Sequence, residues 1–126
     1  MKVSEIMRKA VVVDSNIKVK EAAKIMSEKG IGSLIIFKDN KIKGILTERD
    51  VIKNISKSDS NIEKIMSKNV ITIKFDSDVE EAVKLLKNND IKRLPVVKDK
   101  KLVGIITITD IIANKSLEIE DDFFIN

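Results

Sequence analysis

The chain has 126 residues, 43% of them apolar and 35% charged, a balance that suits one compact domain or two half-domains in water. It contains no Cys and no His, which removes thiol nucleophiles, Ser-His arrangements and zinc sites of the usual ligands, so neither a catalytic nor a metal site is expected. Trp and Tyr are absent, and the four Phe offer little surface for stacking bases. The net charge of +4 is unevenly spread: residues 1–58 carry 13 Lys+Arg against 7 Asp+Glu, and 59–126 carry 11 against 13. Because the lysines are scattered rather than blocked, nucleic acid is not the expected partner. No apolar run approaches the roughly 18 to 20 residues of a membrane span, and MKVSEIMRKA lacks the apolar core of a signal peptide, so a cytoplasmic location is expected.

In chain order, the β-branched run Val11 to Val13 predicts a short strand. Val19, Ala22, Ala23 and Met26 follow at the i, i+3, i+4, i+7 spacing of an amphipathic helix, with Ser15 upstream as a cap and Gly30 as its end. Leu34 to Phe37 reads as a buried strand, KDNK as a turn, Ile42 to Leu46 as the returning strand, and Thr47 as the start of a second helix. The order then returns. Val70 to Phe75 is a strand, and Val79, Ala82, Val83 and Leu86 mark a helix behind Ser77. Leu94 to Val97 and Leu102 to Ile106 flank the turn KDKK, and a helix begins at Thr107.

Sliding the sequence by sixty lays Val19–Ile52 on Val79–Ile112 with 14 identities in 34 positions. SEIM at Ser4–Met7 matches EKIM at Glu63–Met66 once one residue is gapped. The chain is therefore a duplication: repeats at 1–58 and 59–115, and an acidic, aromatic tail at 116–126 that either docks or stays solvated. The expected fold is α/β, two βαββα units packed sheet to sheet about a pseudo-twofold axis, because a three-stranded unit alone buries too little surface.

Each copy closes on the same pattern of glycine, apolar pair, threonine and aspartate, GILTERD at Gly44–Asp50 and GIITITD at Gly104–Asp110. Thr-x-x-Asp at a helix start puts threonine at the N-cap and aspartate three residues on, where unpaired N–H groups and the helix dipole favour an anion. The aspartate is equally able to accept two neighbouring hydroxyls, such as the 2′- and 3′-OH of a ribose. The same residues also describe a capping box that binds nothing.

This element order, the paired G-h-h-T-x-x-D motif (h apolar) and RLPVV opening the central strand of the second copy resemble the cystathionine β-synthase (CBS) domain pair, or Bateman module, over residues 1 to about 115. The resemblance implies a regulatory, non-enzymatic module that binds AMP, ADP, ATP or S-adenosylmethionine in clefts between the repeats and acts on a partner protein, commonly as a homodimer. It places ribose on Asp50 and Asp110, with Thr47, Thr107 and Thr109 beside them. It places phosphate on Arg93 and Lys92, with Arg49 as the substitute in the first copy. The adenine pocket falls on Val70, Ile71, Thr72, Ile91, Leu94 and Pro95 in the second copy and on Val11, Val12, Gly32 and Ser33 in the first. Because Gly32 and Ser33 stand where the second copy has Lys92 and Arg93, the two sites are expected to differ, with Asp110 serving phosphate-bearing ligands better. Both copies also lack the proline that many members carry after the first strand, having Asp14-Ser15 and Asp76-Ser77. Alternatives from other classes are a small nucleic-acid-binding protein and a structural dimerisation module with empty clefts.

Overall fold

The computed structural model describes residues 1–114, so the expectations for the tail at 116–126 lie outside the described residues. Its elements are α1 (Val3–Ile6), β1 (Val12–Asp14), α2 (Val19–Lys29), β2 (Ser33–Lys38), β3 (Lys41–Thr47), α3 (Glu48–Lys53), β4 (Ile73–Lys74), α4 (Val79–Asn88), β5 (Arg93–Lys98) and β6 (Lys101–Thr107). A last helix, α5, covers 108–114. Short 3-10 turns at Ile55–Lys57 and Ile62–Lys64 join the two copies. The strand–helix–strand–strand–helix order expected from the periodicity is present twice.

Two compact units form, and they cut the chain differently from the repeats expected at 1–58 and 59–115. One comprises Ala10–Val70; the other joins Met1–Lys9 to the chain from Ile71 onward. Each unit thus takes its opening turn from the other repeat. In the 10–70 unit, Ile62 is fully buried in a core with Val19, Ala22, Met26, Leu34, Ile36, Leu46 and Met66. In the other, Val3 is fully buried among Ile73, Val79, Ala82, Leu86, Leu94, Val96, Ile106 and Ile111. Burying one such aliphatic side chain contributes about 1.5 to 3 kcal/mol, so the gapped SEIM and EKIM match marks two structural anchors.

The sheets have the same topology. β1 pairs parallel to β2 (Val12 opposite Ile35) and β2 antiparallel to β3, just as β4 pairs parallel to β5 (Ile73 opposite Val96) and β5 antiparallel to β6. Their hairpins turn on two residues with positive φ, Asp39 (53°) and Asn40 (60°), then Asp99 (50°) and Lys100 (66°). That is the type I′ geometry whose twist matches paired strands.

Three local expectations are corrected. The helices start later than Ser15 and Ser77 imply: the residues at the N-cap positions are Lys18 and Asp78, neither with a capping side-chain hydrogen bond. Ser15 is buried instead, its N–H donating to the Phe37 carbonyl at 2.9 Å, while the Ser77 carbonyl accepts from Val3 N–H at 2.8 Å. The strand expected over Val70 to Phe75 shrinks to Ile73–Lys74, because only those two residues have ladder partners on β5. Gly30 does end α2, in the left-handed conformation at φ 62°, and its N–H reaches the Met26 and Ser27 carbonyls.

Exposed ion pairs brace both anchors. Lys2 Nζ lies 3.0 Å from Asp78 Oδ1, and Lys20 Nζ 2.7 Å from Asp59 Oδ1. Hydrogen bonding to Lys2 and then its charge hold the Asp78 carboxyl below its ordinary value; Lys20 acts likewise on Asp59, and both lysines are raised in turn.

Candidate functional site

In each unit the second strand of the hairpin delivers its threonine directly into a helix start. Thr47 keeps extended backbone (φ −115°, ψ 164°) while Glu48 begins α3. Its Oγ1 accepts from Asp50 N–H at 3.2 Å, and Asp50 Oδ2 accepts from Thr47 N–H at 2.9 Å and from the Thr47 hydroxyl at 3.0 Å. Asn54 Nδ2 donates to the Asp50 carbonyl at 2.8 Å. At the head of α5 the arrangement repeats. Asp110 Oδ2 accepts from the Thr107 hydroxyl at 2.8 Å and from its N–H at 3.3 Å, Thr107 Oγ1 accepts from Asp110 N–H at 3.1 Å, and Asn114 Nδ2 donates to the Asp110 carbonyl at 2.8 Å.

The capping box is therefore real in both copies. It does not exhaust the carboxylates, since each box uses one oxygen. A carboxylate has about four lone-pair positions, and two hydrogen bonds on Oδ2 leave Oδ1 free of the box. What meets Oδ1 differs. Among the described residues Asp50 Oδ1 has no hydrogen-bond or ion-pair partner, whereas Asp110 Oδ1 lies 2.6 Å from Arg8 Nε. The Asp110 side chain is 5% exposed and that of Arg8 is 73% exposed, so the pair joins a buried carboxylate to a guanidinium at the surface.

The sheet register sets some of the expected site residues opposite the threonines of the boxes. Ser33 is opposite Thr47, and the Gly32 carbonyl accepts from Glu48 N–H at 3.1 Å. Arg93 is opposite Thr107, and the Lys92 carbonyl accepts from Ile108 N–H at 2.9 Å. Arg93 and Lys92 make no side-chain ion pair among the described residues. Arg49 and Thr109 are exposed in the first turns of α3 and α5.

The apolar set is more mixed. Leu94 and Pro95 are fully buried on β5, and Leu94 belongs to its unit's core. Ile91 and Ile71 are half-buried against that core, Val70 is half-buried, and Thr72 is exposed. In the other unit Val11 is half-buried, its carbonyl accepting from Ile35 N–H at 2.9 Å, and Val12 is 40% exposed on β1. A separate groove of about 360 Å³, walled by Ala23, Met26, Gly30, Ile31, Val51 and Ile52, contains none of the expected site residues. On α5, Ile111 is in its unit's core, and Ile112 is 57% exposed. Among the described residues there is no group of three or more Asp or Glu suited to a metal ion, and no helix long and apolar enough to cross a membrane.

Arg8 is the residue that reading the sequence for motifs missed. A signal was present, since extending the SEIM and EKIM alignment by one position sets Arg8 against Ser67. The backbones agree there: Arg8 bridges Ile105 on β6, and Ser67 bridges Ile45 on β3.

Two α/β units of the same topology, each carrying a strand-to-helix Thr-x-x-Asp box, define a duplicated domain. The chain belongs to the CBS domain family, whose profile matches residues 3–57 and again 62–116. Among solved structures, the CBS domain pair of protein MJ0100, in complex with 5′-methylthioadenosine and S-adenosyl-L-methionine, superposes with a TM-score of 0.87 at 34% identity, covering 94% of this chain and 98% of that one. A hexameric CBS-CP12 protein from bloom-forming cyanobacteria gives 0.82 at 28% identity, covering 89% and 66%. An uncharacterized 17.7 kDa protein of Acidianus ambivalens is 41% identical over 115 residues, 87% of this chain and 70% of that protein. A homoserine O-acetyltransferase of Methanohalobium evestigatum is 38% identical over 112 residues, but these are only 23% of its length.

Proposed function

We propose that this chain is a regulatory, non-enzymatic CBS pair that senses an adenosine-derived small molecule through Asp50 and Asp110 and passes its occupancy to a partner protein. The observation that carries the reading is the state of the Asp50 carboxylate. Its Oδ2 is locked by Thr47, and its Oδ1 has no partner among the described residues, so it is already oriented to accept a vicinal diol. The ligands held by the MJ0100 domain pair, a thioether nucleoside and its sulfonium relative, make the same chemistry the first candidate here, with AMP, ADP and ATP beside them. Lys92 and Arg93 favour a phosphate or another anionic group at the Asp110 end. Ser33 opposite Thr47 suits a neutral tail at the Asp50 end.

Enzymatic activity is not part of the reading. The relative named for acetyl transfer shares less than a quarter of its length with this chain. A thermal-shift panel with 5′-methylthioadenosine, S-adenosylmethionine, AMP, ADP and ATP tests the function. A true ligand at 100 times its Kd raises stability by about 2.7 kcal/mol. Steeply salt-dependent binding of oligonucleotides with no response to any of the five would favour a nucleic-acid-binding role instead.

A further inference from the structure

We propose that Arg8 is a specificity-determining latch, closing the Asp110 carboxylate to uncharged riboses while Asp50 stays open. The inference rests on the adenosine reading above and extends it to the order in which the two carboxylates load.

The two boxes are almost the same object. In both, the threonine hydroxyl and N–H converge on Oδ2 of the aspartate. In both, the strand before the box is flanked by an extended segment, bonded through paired N–H and carbonyl groups. Arg8 exchanges two bonds of 2.8 Å with Ile105, and Ser67 exchanges bonds of 2.9 and 3.0 Å with Ile45. What separates the copies at this position is the side chain alone. A serine is too short to reach a carboxylate across the strand end, and an arginine does reach it, placing Nε 2.6 Å from Asp110 Oδ1.

The consequence follows from counting acceptors. A ribose diol offers two hydroxyl donors, and a carboxylate already giving one oxygen to a cap needs the other to receive them. Asp50 offers that oxygen; Asp110 offers it only after Arg8 withdraws. Withdrawal returns the guanidinium, 73% exposed, to water, but it leaves the Asp110 carboxylate, 5% exposed, without its cation, so it costs more than parting two exposed charges. An uncharged nucleoside gives Arg8 nowhere to go, so binding it forfeits the ion pair. A ligand carrying a phosphate or carboxylate gives the released guanidinium a new anion, on the unit that also carries Lys92 and Arg93. Arg8 therefore makes the Asp110 end discriminate between neutral and anionic adenosine compounds.

The test exchanges the two side chains. Adenosine, a neutral probe, is titrated calorimetrically into Asp50→Ala and Asp50→Ala/Arg8→Ser, which isolate the Asp110 carboxylate. It is also titrated into Asp110→Ala and Asp110→Ala/Ser67→Arg, which isolate Asp50. Arg8→Ser is expected to tighten adenosine about three- to tenfold, and Ser67→Arg to weaken it by a similar factor. With Arg8 present, adenosine binding at Asp110 strengthens as salt is added, a direction that a merely structural Arg8 would not produce, and the effect disappears in Arg8→Ser. Unchanged or weaker adenosine binding in Asp50→Ala/Arg8→Ser overturns the latch and leaves the adenosine reading standing. Failure of both single-carboxylate variants and of the unmodified protein to bind adenosine overturns that reading, and the latch with it.

Discussion

Gly104 lies directly under Met7: a Cβ built on the glycine would sit 2.8 Å from Met7 Sδ and 2.9 Å from the Arg8 carbonyl oxygen. Gly44 has the matching relation to Met66 Sδ, at 2.7 Å, and to the Ser67 carbonyl, at 2.8 Å. The glycine that opens GILTERD and GIITITD thus answers to packing rather than to ligand. It lets the opening turn of the other repeat lie flat on the strand. Gly44→Ala and Gly104→Ala are each expected to lower stability by about 1 to 3 kcal/mol, read from urea unfolding midpoints, because backbone carbonyls cannot yield as a side chain would.

The cap and the proposed ligand role of the boxes separate by substitution. Thr47→Ala removes the acceptor for Asp50 N–H and should cost about 0.5 to 2 kcal/mol of stability. It should also loosen the Asp50 carboxylate, so the melting temperature falls and binding of adenosine compounds weakens together. Asp50→Asn keeps an oxygen for the cap but loses the charge, so it should preserve stability better than Thr47→Ala while weakening the nucleoside more. Chemical denaturation beside calorimetry distinguishes the two.

The hairpin turns carry avoidable strain. Lys100 adopts φ 66°, where a Cβ is unfavourable and a type I′ turn prefers glycine. Lys100→Gly is expected to raise stability by about 1 kcal/mol, visible as a higher melting temperature with nucleotide binding unaltered.

The pH response should be flat in the middle and fall at both ends. Asp78 and Asp59 are held below the ordinary 3.8, so the stability they contribute is complete above that value and is lost as pH drops through their lower folded values. Lys2 and Lys20 are raised above 10.5, so their share is complete below it and is lost as pH climbs through their folded values. All four groups are exposed, and added salt should shrink both effects. Lys2→Met should remove part of the acid-side loss, measured as the pH dependence of the urea midpoint.

Much of this arrangement is legible in the sequence, for a physical reason. Helix and strand periods are local, so Val19, Ala22 and Met26, and likewise Leu34 to Phe37, announced their elements, and the threonine caps followed from residue type at fixed spacing. Contacts across long chain separations leave no such trace. Nothing local in Val3 tells that it is buried with Leu94, or that the opening turns are exchanged between repeats. Arg8 was missed for the same reason, because it meets Asp110 from a hundred residues away. The expected strand over Val70 to Phe75 failed where β-branched residues had no ladder partner, since propensity describes what a residue tolerates and pairing decides what it forms.

The proposed function requires that the two carboxylates hold an adenosine compound. Calorimetric titration of 5′-methylthioadenosine into the unmodified protein and into Asp50→Ala/Asp110→Ala asks this directly, with circular dichroism confirming that the variant is folded. Saturable heat from the unmodified protein and affinity lower by about tenfold or more in the variant are predicted. Equal affinity in the two proteins would contradict it and leave both boxes as helix caps.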